Sequence, residues 1–549
     1  MADLTKLPQA SKTCRPAGVI DQHGRDVFEC RFGTATEEAT PTGSVKHPTN
    51  GDETLYADKS GTYTKCLKQK SYGVVDPNAF QLFRTALGSA DGSIAGTADF
   101  EVAGLLGSGR KLNGPLGAFA LTLVGADSQH FGVPLVPPAP KLASAEYATE
   151  LVELYWASLL RDVPFTSYET NATAIAAANE LTQLAATYAG PTDNGKVTPR
   201  LLFRGGLTLA GRKGKNPVTY FAGEDVGPYV SQLCIRPTSL GAQSIDQKMQ
   251  TYIAGTDYLT DLNAWQAVQN GATPSISDVP DQQRRYLHDG RGFSAFTHVD
   301  ELYQAYLMAY LVLDTLGIKS NPSSPYNSFK NQQPFGTFGG PDIAATLGAV
   351  ARTAINAVWY QKWIVHLRHR PESGGGIVHL MKTGLGATDG KVDPLVLNSA
   401  ALQLSYMRNG SYLLSQAFPE GSPAHPAYPT GHGTVAGACI TVLKFFYDGD
   451  AVVPNPMIPS ADGLSLEPYN GADSRQMTVN GELHKLAHNI SFGHGIHAGI
   501  HWRSDTDYSI LLGEAVALSF LQDQAFTYEE DFAVALTKLD GTSVTIKNY

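Results

Sequence analysis

Apolar residues along the 549-residue chain return every three or four positions in a succession of stretches, and segments rich in glycine and proline separate them. That period predicts helices with one buried face. From Ser144 the reading is a helix with serine as N-cap, Glu146 in its first turn, and Leu151, Leu154, Tyr155 and Leu159 on one side. An alanine-rich helix follows from Asn171 to Gly190, ended by its glycine. Asp300 to Leu316, Ile343 to Arg370, Ser399 to Phe418 and His432 to Phe446 show the same spacing, with Asn331 to Pro341 and Asp448 to Pro459 among the breaks. Residues 1 to about 75 are polar and predict irregular structure with a few short strands. The tail alternates on either side of Asp540-Gly541, which predicts a hairpin from Phe532 to Ile546. The expected class is therefore mainly α with minor β hairpins. Its expected parts are an irregular region over 1–140 with short strands and helices, a helical-bundle unit over 141–525 and a hairpin over 526–549.

Composition narrows this picture. Hydrophobic residues make up 42% of the chain, enough for a large core, and no apolar run approaches the roughly 20 residues of a membrane span. A net charge of -10 argues against nucleic acid as a partner, and the basic run Gly211 to Lys215 reads as surface loop. The five cysteines, Cys14, Cys30, Cys66, Cys234 and Cys439, are too sparse for a disulfide scaffold, although an N-terminal bridge is open to them. Nothing behind Met1 reads as a signal peptide, so the default compartment is cytoplasmic.

Three distant segments carry the candidate chemistry. Trp359 to Glu372 holds Lys362 and Arg370 near the end of a helical pattern that Pro371 should stop, placing both cations on one face. Thr430-Gly431-His432 opens a helix, offering backbone N–H groups, the positive end of the helix dipole and an acid/base group to a small anion. The last histidine of Asn489 to Asp505, His501, can face the other two segments across a bundle. Taken singly, each has an ordinary reading: a solvated basic face, a threonine N-cap, core tryptophans at 359 and 363. The spacing of His484 with His488, or His497 with His501, would also suit a divalent metal, but no acidic residue stands between either pair. Their occurrence together and in this order points to one tetrahedral oxyanion held by several donors.

On these residues the chain resembles the vanadium-dependent haloperoxidases of the algal and cyanobacterial bromoperoxidase type, whose site is shared with acid phosphatases of the phosphatidic-acid phosphatase type. The likeness extends to Leu142 through Phe165, Gly227 to Gln232 and His298 to Tyr306, and covers roughly residues 140 to 525. It implies a fold of two four-helix bundles forming one unit, assembled as dimers or dodecamers, with vanadate as cofactor and room for a structural calcium. It implies hydrogen peroxide, a halide and an organic nucleophile as substrates. By the same likeness His501 bonds vanadium; Lys362, Arg370, Thr430 and the N–H of Gly431 hold its oxygens; His432 hydrogen-bonds the apical oxygen and moves protons. Lys362 is the second choice for that proton. Trp359 matches an aromatic contact, Asp300 a carboxylate that fixes an arginine, and His425 the position that favours bromide and iodide over chloride.

One departure stands out. The resemblance calls for arginine six residues before the metal-binding histidine; Gly495 lies there, and counting forward from Asn489 gives His494, because the stretch is one residue longer. A histidine is at best a partly protonated single donor, whereas guanidinium is permanently charged and bidentate. Arg368 and Arg503 are the nearby substitutes. The reading is a vanadate-dependent peroxidase oxidising bromide or iodide to hypohalous acid. Its alternatives are a phosphate-ester hydrolase in the same site, with His501 as nucleophile, and a catalytically weak oxyanion-binding protein.

Overall fold

The computed structural model describes residues 45–88, 100–133, 135–206, 220–386 and 391–549. Cys14, Cys30 and the basic run 211–215 lie outside the described residues. The helices that build the site are α1 (Ala145–Leu160), α2 (Ala172–Gln183), α3 (Gly290–Val299), α4 (Gln304–Thr315), α5 (Gly340–Tyr360), α6 (Pro371–Thr383), α7 (Ala400–Asn409), α8 (Gly431–Phe446), α9 (Val479–Phe492) and α10 (Arg503–Ala525). Strands occur only as short antiparallel pairs among the described residues, so the structure is mainly helical, as the periodicity predicts. No helix among the described residues is long and apolar enough to cross a membrane.

Helix α8 organises one bundle. Every residue from Gly431 to Phe446 is buried, as expected of a sequence apolar on all sides, and α5, α9 and α10 pack around it. The approach of α10 is set by glycines: a Cβ at Gly437 would lie 2.0 Å from the Ile510 carbonyl oxygen, and one at Gly513 would lie 2.1 Å from that of Thr434. A second group gathers α2, α6 and α7 around α1, which the Ser144 hydroxyl caps by accepting from Tyr147 N at 3.2 Å. One apolar cluster from Phe131 to Ile546 draws on both groups. A smaller cluster joins Tyr63, Phe80 and Phe83 of the N-terminal part to Trp363 and Leu367, so this region backs the segment that carries Lys362.

Several elements depart from the expected boundaries: α2 stops at Gln183, short of Gly190, and α4 begins at Gln304, past Asp300. The helix predicted to run to Arg370 ends at Tyr360, continues as a π-helical turn over Gln361–His366, and breaks at Leu367, whose φ is 47°. Pro371 then starts α6 instead of ending a helix, with Arg370 as its N-cap; proline suits a first helical position because no N–H is needed there. The helix expected to reach Phe418 stops at Asn409, where Gly410 takes φ 69°. Helix α10 escaped the periodicity because its first turns bury the polar residues Ser504, Asp505, Thr506 and Asp507. The terminal hairpin forms from Ala533–Thr537 and Ser543–Lys547.

Because the α8–α10 contact has no room for a side chain, Gly437→Val should cost roughly 1–3 kcal/mol through overpacking. Urea unfolding checks this; an unchanged midpoint would show that the seam yields freely.

Candidate oxyanion site

The three predicted segments meet behind the N-terminus of α8. Lys362, on the π-helical turn, donates through Nζ to the carbonyl oxygens of Pro426 at 2.9 Å and Ala427 at 2.7 Å. Arg370 donates through Nε to the His425 carbonyl at 2.9 Å and through one terminal nitrogen to the Ile500 carbonyl at 2.9 Å. That same nitrogen lies 2.8 Å from His501 Nε2. The other ring nitrogen, His501 Nδ1, is 2.9 Å from Asp505 Oδ2. A carboxylate can only accept there, so Nδ1 carries the proton and Nε2 presents its lone pair to the site. The expected shared helix face for Lys362 and Arg370 is not what unites them, since the helix breaks at Leu367 between them; both anchor to the 425–427 backbone instead.

Thr430 is the N-cap of α8, yet its hydroxyl makes no capping hydrogen bond and its Oγ1 is buried without a partner. The first N–H groups of α8 have no intrahelical acceptor by construction. Among the described residues neither Lys362 nor Arg370 forms an ion pair with a carboxylate; carbonyls and imidazoles are their partners. Burial, and then the Arg370 charge, hold the Lys362 ammonium well below its usual pKa, and burial lowers Arg370 to about 10. Two uncompensated buried cations, an orphaned hydroxyl and a helix N-terminus fit a tetrahedral oxyanion, which would relieve every one of these costs.

A cavity of about 320 Å³ lies beside this floor, with Trp359, His425, Gly431, His432 and His494 in its wall. His432 Nε2 lies 3.0 Å from Asp300 Oδ1. The His494 ring stacks on His432 with centroids 3.7 Å apart and stands 5.6 Å from that of His501; its Nδ1 is buried without a partner. His494 thus reaches the anion's surroundings. It sits on a second π-helical turn, Gly493–His497, and such a turn absorbs one extra residue, matching the longer spacing in the sequence. The His425 ring is 4.7 Å from Trp359, and its Nδ1 lies 3.0 Å from an Arg370 terminal nitrogen and 3.1 Å from the Pro426 carbonyl oxygen. Burial first, and then neighbouring positive groups, hold His425, His494 and His501 well below 6.5.

Several expectations change here. Asp300 holds an imidazole, not an arginine; with no arginine at 494, His432 is the donor within its reach. Arg503 is bound to Glu153 and to the Arg204 carbonyl, away from the anion. Arg368 pairs with Asp505 at 2.6 Å and Glu150 at 2.9 Å. Neither substitutes for the missing guanidinium, and His494, held neutral by burial, does not replace its charge. His484 and His488 do not converge on a metal: the first meets Lys444 Nζ at 2.7 Å, the second Asp507 at 3.4 Å. His497 turns to the Tyr229 hydroxyl at 2.9 Å, and Trp363 is core. Asp505 was missed, though its position four after His501 was a legible signal.

Fold and site together define a helical-bundle protein with a buried cationic site suited to an oxyanion. Residues 343–528 match the VCPO second helical-bundle domain. The chain is 32% identical over 527 residues to the vanadium-dependent bromoperoxidase of Ascophyllum nodosum, covering 92% of this chain and 89% of that one. It is 30% identical over 614 residues to that of Corallina pilulifera, covering 97% and 100%. The homohexameric second vanadate-dependent bromoperoxidase of A. nodosum superposes with a TM-score of 0.84 at 27% identity, over 99% of this chain and 95% of that chain. This chain belongs to the vanadium-dependent bromoperoxidase family.

The neutral imidazoles give the ligand-free protein a defined pH response. Below 6.5 the unfolded chain takes up protons that His425, His494 and His501 refuse in the fold, so stability is full above 6.5 and is lost as pH falls. The loss is at most about 1.4 kcal/mol per histidine per pH unit. Urea midpoints at pH 7.5, 6 and 5 should fall in that order, and His494→Phe should flatten the slope; an unchanged slope would mean that residue 494 titrates freely in the fold.

Proposed function

We propose that this protein is a vanadate-dependent peroxidase that oxidises bromide or iodide with hydrogen peroxide to hypohalous acid, which then reacts with an organic nucleophile. The observation that carries the reading is the pair of buried cations, Lys362 held by carbonyl oxygens and Arg370 at 2.8 Å from His501 Nε2, neither paired with a carboxylate among the described residues. His501 would ligate vanadium. Lys362, Arg370, Thr430 Oγ1 and the N–H of Gly431 would hold the oxygens, with His494 as a neutral hydrogen-bonding neighbour. Bound vanadate supplies Lewis acidity that activates peroxide toward halide without a change of its own oxidation state.

The chain's residues then have separate tasks. Halide oxidation consumes one proton per turnover, and His432, its Nε2 held by Asp300, is placed to deliver it at the cavity wall; such assistance is typically worth about 10²–10⁴-fold in rate. Lys362 keeps negative charge at the site. His425, packed on Trp359, lines the route of the halide and favours bromide and iodide. The phosphate-ester reading gains nothing from the relatives described above, which are bromoperoxidases. Assembly of several copies, as dimer, dodecamer or the hexamer of the neighbour, belongs to the proposal. A structural calcium draws no support from Asp278, His298 and Glu420, the one metal-capable grouping among the described residues, because an imidazole is a poor calcium donor.

Purified protein loaded with orthovanadate, then given bromide, peroxide and a brominatable dye, should bleach the dye in proportion to bound vanadium. Bleaching that ignores vanadate, or a faster phosphate-ester hydrolysis, would refute the reading. His494→Arg should retain vanadate longer during dialysis; equal or shorter retention would place residue 494 out of reach of the anion.

A further inference from the structure

Arg368 lies two residues from Arg370, yet it faces away from the oxyanion and is 2% exposed. Both terminal nitrogens of its guanidinium are engaged: one donates to Asp505 Oδ1 at 2.6 Å and to Ser504 Oγ at 2.8 Å, and the other donates to Glu150 Oε2 at 2.9 Å. Its charged plane lies 4.7 Å from the Trp502 ring. Glu150 closes the arrangement by accepting from Ser504 N at 2.7 Å. Three acceptors served by two nitrogens of one plane suit the rigid fork of arginine better than the single point charge of an ammonium.

The partner of this fork, Asp505, touches two of the site's three segments. Its Oδ2 accepts from His501 Nδ1 at 2.9 Å and Trp502 N at 3.1 Å, and its main-chain carbonyl accepts from Thr430 N at 3.0 Å. The third segment hangs on Arg368 itself, whose carbonyl accepts from Ala427 N at 2.9 Å, while the Ala427 carbonyl holds Lys362 Nζ at 2.7 Å. The pair Arg368–Asp505 thus fixes the metal-ligand candidate, the hydroxyl of the helix start and the lysine together.

Asp505 is also the carboxylate whose charge reaches both Lys362 and Arg370. Released from Arg368, it would be a buried anion beside two buried cations with no carboxylate of their own, and would compete with an oxyanion for them. We propose that Arg368 is a positioning residue of the oxyanion site: it holds Asp505 on His501 Nδ1, so that Nε2 stays bare, and keeps this internal carboxylate from taking the oxyanion's place. Glu150 locks Arg368 from the opposite side. This rests on the reading of His501 as the vanadium ligand.

The test uses the full chain and orthovanadate as the probe. Vanadium retained after equilibrium dialysis is measured against pH for the wild type, Arg368→Lys and Glu150→Gln, together with the ⁵¹V NMR signal of the bound anion and the melting temperature. Loss of an outer contact to a metal ligand typically costs 10–100-fold in affinity. Arg368→Lys should weaken retention by about that factor and move the ⁵¹V signal, and Glu150→Gln should do the same to a smaller degree. Should Arg368→Lys fail to fold, Glu150→Gln decides by its retention and ⁵¹V signal. A lowered melting temperature with wild-type retention, pH profile and ⁵¹V signal in the folded variants would make the contact merely structural and overturn the proposal. Wild-type protein that retains no vanadate would refute the functional reading and this inference with it; wild-type binding with both variants unchanged refutes this inference alone.

Discussion

Two cations buried without a carboxylate in contact are the constraint around which this structure is arranged. Among the described residues Lys362 and Arg370 have only carbonyls and imidazoles for partners, and an unpaired charge away from water is among the most expensive things a fold can contain. The bundle tolerates them because the surrounding backbone turns its carbonyls inward: Pro426 and Ala427 toward the lysine, His425 and Ile500 toward the arginine. What carbonyls cannot provide is net negative charge. That is left to a guest, and Thr430 Oγ1 and the start of α8 wait beside the cations with hydrogen bonds unmade.

The architecture serves the same end. Helix α8 must bring its N-terminus to His501, which stands just before α10, and the glycines at 433, 437 and 513 let the two helices approach at backbone contact. Both histidine- and lysine-bearing turns are π-helical. A π turn rotates the residues after it relative to an α-helix, so the site's side chains are aimed by local irregularity more than by helix periodicity. The bromoperoxidase relatives supply the chemistry, and the irregular turns show how this chain meets it with a histidine where the resemblance calls for arginine. Burial keeps that histidine neutral, so Lys362 and Arg370 are the cationic side chains at the floor of this site.

Much of this was legible in the sequence where a residue type has one dominant physical use. Ser144 as a cap, the hairpin turn at Asp540-Gly541, and the ordered set Lys362, Arg370, Thr430-Gly431-His432 and His501 all read correctly as elements or neighbours. The failures share a cause. A 3.6-residue period assumes an uninterrupted α-helix, so it ran through the break at Leu367 and took Pro371 for a stop; it also missed α10, where buried carboxylates and hydroxyls stand at positions that a period search reserves for apolar side chains. Partners were harder still: that Asp300 would hold His432, and Asp505 would hold His501, depends on which donors the fold brings near, not on spacing alone.

Calorimetric titration of orthovanadate into the ligand-free protein and into a Lys362→Met variant tests the central claim most directly. The account predicts one anion bound per chain, with the heat abolished or strongly reduced in the variant while its melting temperature without anion holds or rises, because a costly buried charge has gone. Binding at several equivalent weak sites, or binding that the variant leaves intact, would contradict it.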